Sequence, residues 1–170
     1  MAFKTWTVGE VLASADLNRY AVQQNHVIKA ADESVASSTV MQNDDHLLLP
    51  VAANTRYLVD SLVKYFGEDL ADMKFGWTAP AGATLDWYSD AYWTGTSDSG
   101  KVMREVRTLA QTQSCGCSGA SFTFAAALRG TLNVGGTAGN LQLQWAQVTS
   151  NGTANQVLTG SLLRVTRLVP

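Results

Sequence analysis

Charge is what this sequence has least of. Only 15% of its 170 residues are Asp, Glu, Lys or Arg, where an average soluble domain carries about 25%. The 12 basic and 14 acidic residues are scattered and leave a net charge of −2. No basic stripe for phosphates and no polybasic patch for anionic lipid results, which excludes nucleic acid and membrane surface as expected partners. No apolar run approaches the roughly 20 residues of a membrane span, and the first residues lack the apolar core of a signal peptide. The expected place of synthesis is a cytoplasm.

Histidine and cysteine are nearly absent as well. The two histidines, His26 and His46, and the two cysteines, Cys115 and Cys117, lie far apart in sequence. They do not reproduce the spacing of a four-ligand zinc site, and no metal and no cofactor is expected. A disulfide across the single residue Gly116 would be strained, so Gln113-Ser114-Cys115-Gly116-Cys117-Ser118-Gly119 reads as a loop with free thiols. Asp44, Asp45 and His46 are adjacent, but the run Asn43-Asp44-Asp45 is an ordinary turn signal. Glu68, Asp69 and Asp72 lack the oxygen-rich pattern of calcium loops and read as a solvated turn. Gly135-Gly136-Thr137-Ala138-Gly139 has no lysine and no following helix to hold a phosphate, and reads as a hairpin between strands. Without a nucleophile elbow or a base to activate one, no catalytic residue is expected and the chain does not read as an enzyme.

What is present divides in two. Residues 1–32 read as an arm plus one helix, and residues 33–170 as a β-domain long enough to bury a core of its own. The helix opens at Ser14-Ala15-Asp16-Leu17, with Ser14 as N-cap and Asp16 against the positive end of the dipole. Leu17, Tyr20, Ala21, Val27, Ile28 and Ala31 continue it at helical spacing. Trp6, Val8, Val11 and Leu12 precede it, and with Leu17 and Tyr20 they form a candidate docking interface. Two destinations are open for this apolar set: its own β-domain, or a neighbouring subunit.

From residue 35 onward the period becomes two. Strands are predicted over residues 35–42, 46–49 (stopped by Pro50), 55–66, 72–78, 84–88, 102–109, 122–134, 141–149 and 162–169, with a polar loop around residues 95–100. In the stretch 140–148, Leu141, Leu143 and Trp145 alternate with glutamines, so one face is buried and the other carries uncharged amides. Eight or nine strands with short polar turns predict a mainly β fold, an antiparallel β-sandwich or jelly roll with an N-terminal arm and one short helix. Trp87, Tyr88, Tyr92 and Trp93 cluster beside Asp86, Asp90 and Asp98. Aromatics of this kind serve as core and sheet-edge packing; the second reading makes Tyr92, Trp93, Asp90 and Asp98 contacts for a carbohydrate ligand.

The phrase from Thr5-Trp6-Thr7-Val8-Gly9-Glu10-Val11-Leu12-Ala13-Ser14-Ala15-Asp16-Leu17 to Tyr20, with Gln42-Asn43-Asp44-Asp45-His46-Leu47, Ala53-Asn54-Thr55-Arg56-Tyr57 and Gly76-Trp77-Thr78-Ala79-Pro80, resembles a family of small virion structural proteins of tailed bacteriophages that infect actinobacteria. The resemblance also takes in residues 152–168. It implies a non-enzymatic particle component, whose members sit on the tail as minor tail proteins or decorate the capsid, with no catalytic residue to carry over. The partners it implies are the chain itself and other virion proteins, and the location is the virion, assembled in the host cytoplasm. By analogy with compact β-modules on virus surfaces, the expected oligomer is a homotrimer. The alternative within the same setting is a host-surface carbohydrate- or receptor-binding module of the tail.

Overall fold

A computed structural model of the chain describes residues 5–94, 102–119 and 122–168. In chain order the elements are α1 (Ser14–Tyr20), β1 (Gln24–Ile28), β2 (Glu33–Val35), β3 (Gln42–Val51), β4 (Arg56–Phe66), β5 (Met73–Thr78), β6 (Thr84–Tyr92), β7 (Val102–Met103), β8 (Arg107–Thr108), β9 (Gln113–Cys115), β10 (Phe124–Asn133), β11 (Gly139–Gln147), β12 (Asn155–Val157) and β13 (Leu162–Leu168). They make two antiparallel sheets. The first runs β1-β13-β4-β10-β6-β7, with β12, β2 and β8 joined alongside; the second runs β3-β11-β5-β9. This is the β-sandwich that the alternation predicts.

The period of two explains which residues meet between the sheets. In β4, Tyr57, Val59, Val63 and Tyr65 point inward while Arg56, Leu58 and Leu62 point out. Leu85 and Trp87 from β6, Leu128 and Leu132 from β10, and Leu163 and Val165 from β13 complete the inner face of the first sheet. Leu47 and Leu49 of β3, Phe75 and Trp77 of β5, and Leu141, Leu143 and Trp145 of β11 meet them from the second. Each such side chain taken out of water contributes roughly 1.5–3 kcal/mol. Trp77 and Trp87 meet edge to face across the layer, with ring centroids 6.2 Å apart. On the far side of β11, Gln142 and Gln144 donate to the Asp44 carbonyl and to Asn43 Oδ1, as expected of an amide face.

Several boundaries differ from the sequence reading. The helix does not continue to Ala31: it stops at Tyr20, and Ala21 is already extended. Val27 and Ile28, expected on a helical stripe, lie in β1, where pairing of residues 24–28 with β13 supersedes a helical spacing that β-branched residues support poorly. Ala13 takes the N-cap position, and no side chain caps the helix, Ser14 included. Of the strand expected over residues 35–42, only Val35, at the end of β2, and Gln42, at the start of β3, are in strands. Pro50 does not stop β3 but sits within it, exposed on an edge strand where no N–H is required.

The Asn43-Asp44-Asp45 turn is replaced by an irregularity inside β3, whose register against β11 jumps from Leu48 opposite Gln142 to Asn43 opposite Gln144. Asp44 folds inward there and accepts the N–H groups of His46 and Leu47, at 3.0 and 2.8 Å. Residues 135–139 do not form a hairpin, because β10 belongs to the first sheet and β11 to the second; they carry the chain across the sandwich. Cys115 ends β9 instead of lying in a loop, and both thiols are free and buried.

Candidate docking surface

Trp6, Val8, Val11, Leu12 and Leu17, singled out by the sequence for docking, lie outside this core. Thr7 and Glu10 close a small turn, with the Glu10 N–H on the Thr7 carbonyl and the Glu10 carboxylate on the Thr7 N–H. α1 follows with seven residues, too short to be stable without a surface to pack on. Trp6, Val8, Val11, Leu12 and Leu17 are all exposed, Val11 at 84% and Leu12 at 58%. The side chain of Tyr20 lies outside the described residues. The arm joins the sandwich where the Arg167 N–H donates to the Gln23 carbonyl, next to β1 at the edge of the first sheet.

Of the residues proposed for ligand contact, Asp90, Tyr92 and Trp93 are described. Tyr92 stacks on Phe124 with centroids 5.2 Å apart, and Trp93 is half-buried, its carbonyl carbon and oxygen laid against Gly116. Asp90 is engaged by Arg104 at 2.8 Å, and Asp98 lies outside the described residues. Trp87 is core, and its indole N–H donates to the Thr108 carbonyl. Two recesses lie elsewhere. One of about 250 Å³ is lined in part by Gln24, Pro50, Tyr57 and Arg167, and the other, of about 310 Å³, by Arg56, Arg167 and Leu168.

Sequence reasoning missed one polar centre. Lys29 is buried, and its ammonium lies 2.8 Å from carboxylate oxygens of both Glu33 and Asp44. Glu33 also accepts from Gln42 Nε2 and from the Asp45 N–H. One ligand atom from each of Glu33, Asp44 and His46 falls within 4.8 Å of the others, a spacing compatible with a metal ion. Lys29 supplies the positive charge there itself. The Lys29 N–H donates to the Ser161 carbonyl and its own carbonyl accepts the Gly160 N–H, so this residue pins β2, β3 and the turn before β13 together. The sequence offers little signal for it, since Lys29 stands inside what reads as an apolar helical stripe.

A second buried polar cluster surrounds the cysteines. Asp72 adopts φ 48° and accepts the Cys117 N–H at 2.9 Å. Its carboxyl is pushed up to about 6, chiefly by burial, against the lowering effect of that hydrogen bond and with Asp69 adding to the rise. Burial likewise pushes the Cys115 thiol up to about 12 and raises that of Cys117. Thiols held in this way are poor nucleophiles, and no catalytic geometry forms around them among the described residues.

No protein-family model matches the chain, and no curated protein matches it. Among solved structures, the chain aligns with infectious bursal disease virus of the Gt strain at 13% identity and a TM-score of 0.26, over 89% of this chain and 43% of that chain. The VP2 subviral particle of infectious bursal disease virus aligns at 10% identity and a TM-score of 0.24, over 89% and 42%. The Gx strain aligns at 10% identity and a TM-score of 0.26, again over 89% and 42%. The chain spans less than half the length of these chains.

Proposed function

We propose that this chain is a non-enzymatic structural protein of a bacteriophage particle, an accessory component of tail or capsid that docks through its N-terminal arm and presents the β-sandwich outward. One observation carries the reading: a sandwich with a filled core bears an arm with several large apolar side chains turned to the surface. Four of them, Val8, Val11, Leu12 and Leu17, are exposed together within ten positions. If buried on a partner, they contribute roughly 6–12 kcal/mol gross, enough to offset the association cost of about 4–15 kcal/mol when several copies act together. The resemblance of residues 5–20 to virion proteins of tailed phages supports the same assignment. Self-association, with a trimer as the expected state, and contact with other virion proteins belong to this proposal.

The test is particle incorporation of the full chain carrying Val11→Asp and Leu12→Asp. Both positions are exposed, so thermal stability should match the parent within about a degree. The variant should be missing from purified particles. Incorporation at the parental level would reject the arm as the docking element.

A further inference from the structure

Lys29 and Asp44 are placed as reactants as well as an ion pair. Neither side chain has any exposure, and Lys29 Nζ lies 2.8 Å from Asp44 Oδ2. Cγ of Asp44 is at most one C–O bond beyond that oxygen, so nitrogen and acyl carbon are held near the roughly 3–3.5 Å from which attack starts. The two oxygens of this carboxylate have different surroundings. Oδ1 accepts the N–H groups of His46 and Leu47, at 3.0 and 2.8 Å, and Oδ2 faces the Lys29 nitrogen. Acyl transfer needs this division, with one oxygen stabilised by backbone donors as it gains charge and the other able to leave.

Glu33 supplies the third part. Its Oε2 lies 2.8 Å from the same nitrogen, and the carboxylate is itself held by Gln42 Nε2 and the Asp45 N–H, both at 3.1 Å. The Lys29 backbone is fixed as well: its N–H donates to the Ser161 carbonyl, and its carbonyl accepts the Gly160 N–H and the Thr159 hydroxyl.

We propose that Lys29 and Asp44 join spontaneously in an isopeptide bond, with Glu33 carrying the proton. The ion pair is the reactant, present when the sandwich first closes. Passing one proton from the Lys29 ammonium to Oδ2 leaves an amine facing a carboxylic acid. The nitrogen lone pair forms the N–Cγ bond while the π pair of the C=O bond moves onto Oδ1, beneath the His46 and Leu47 N–H groups. Glu33 takes the surplus proton from nitrogen and returns it to the Oδ2 hydroxyl; the Cγ–Oδ2 bond breaks, one water leaves and the carbonyl re-forms. Ammonium and carboxylate have become amide and water, Glu33 is regenerated, and no co-reactant is consumed.

Burial favours this direction, because a neutral amide carries none of the desolvation cost of a buried ion pair, and a site closed to solvent gives water little chance to reverse it. Of the three side chains only Glu33 reaches the surface, at 17%, and the water released leaves past it. The bond ties the segment after β1, in the first sheet, to β3 in the second, a covalent link across a sandwich whose two cysteines are free.

The experiment is intact-mass measurement of the denatured full-length chain, with tandem sequencing of its proteolytic fragments. The parent should be lighter by one water than its sequence requires, and the fragments carrying Lys29 and Asp44 should appear as one branched peptide. Lys29→Arg, which keeps the charge without this nucleophile, should have its full mass. Glu33→Gln should close more slowly by roughly 10²–10⁴-fold, so that freshly purified protein keeps its full mass while circular dichroism shows the parental β content. A parent at full mass after prolonged incubation, or a loss of water that persists in Lys29→Arg, would overturn the inference. Closure of Glu33→Gln at the parental rate would overturn the part given to Glu33.

Discussion

Replacing Lys29 by methionine removes one positive charge from between two carboxylates and should be among the most damaging single changes in this protein. Asp44 is fully buried and Glu33 nearly so, with side-chain exposures of 0% and 17%. Without the ammonium, Asp44 keeps only the His46 and Leu47 N–H groups as compensation. Stranding a buried charge costs about 3–5 kcal/mol, a large share of the roughly 5–15 kcal/mol that holds a domain folded. At about 2–4 °C per kcal/mol for a chain of this size, the melting temperature should fall by roughly 6–20 °C. Urea unfolding followed by tryptophan fluorescence reads it directly, because Trp87 and Trp145 are buried in the core. The double variant Lys29→Met with Asp44→Asn should recover more than half of the loss, because the amide oxygen still accepts both N–H groups and no full charge remains at that position. A cost below about 1 kcal/mol, the scale of an exposed ion pair, would refute the reasoning, as would a double variant no better than the single one.

Two further outcomes follow from local geometry. The folded-state pKa of Asp72 is raised to about 6 from an ordinary 3.8, so the folded chain takes up a proton that the unfolded chain does not; stability should rise as pH falls through about 6 toward 4, and the charged carboxylate should be a burden above 7. Asp72→Asn, whose amide also tolerates positive φ, should raise the melting temperature at pH 8 and leave it unchanged near pH 4; parallel pH profiles would show that Asp72 is not the group responsible. At Gly116 a Cβ would stand 2.1 Å from the Trp93 carbonyl oxygen and 2.7 Å from its carbon, so Gly116→Ala should cost about 2 kcal/mol or more by forcing β6 and the cysteine segment apart, and a variant as stable as the parent would deny that close approach.

The parts of this fold that were legible in the sequence are those where one strand carries its own pattern. Residues 56–66, rich in β-branched and aromatic residues, and residues 141–145, which alternate cleanly, both form central strands, and Leu141, Leu143 and Trp145 face inward as predicted. The illegible parts depend on partners far along the chain. β1 carries no alternation, with Gln24, Asn25 and His26 preceding Val27 and Ile28, and becomes a strand because β13 lies beside it. Asn43-Asp44-Asp45 has the composition of a turn, and it is the buried ammonium of Lys29 that draws Asp44 inward and keeps β3 running through. The crossing at residues 135–139 looked like a hairpin because glycine-rich connections read alike whether the chain returns to the same sheet or passes to the other. Within the aromatic cluster, burial of Trp87 and stacking of Tyr92 on Phe124 are set by three-dimensional neighbours that spacing does not reveal.

The pairing of β1 with β13 also bears on how the molecule is made. Residues 24–28 lie beside residues 162–166, so β1 cannot pair with β13 until β13 has left the ribosome, roughly 7–28 s later at about 5–20 residues per second. The residues before β1 join the sandwich beside the same strand, through the Arg167 N–H on the Gln23 carbonyl. They therefore gain a fixed base late in synthesis, after the rest of both sheets has been made.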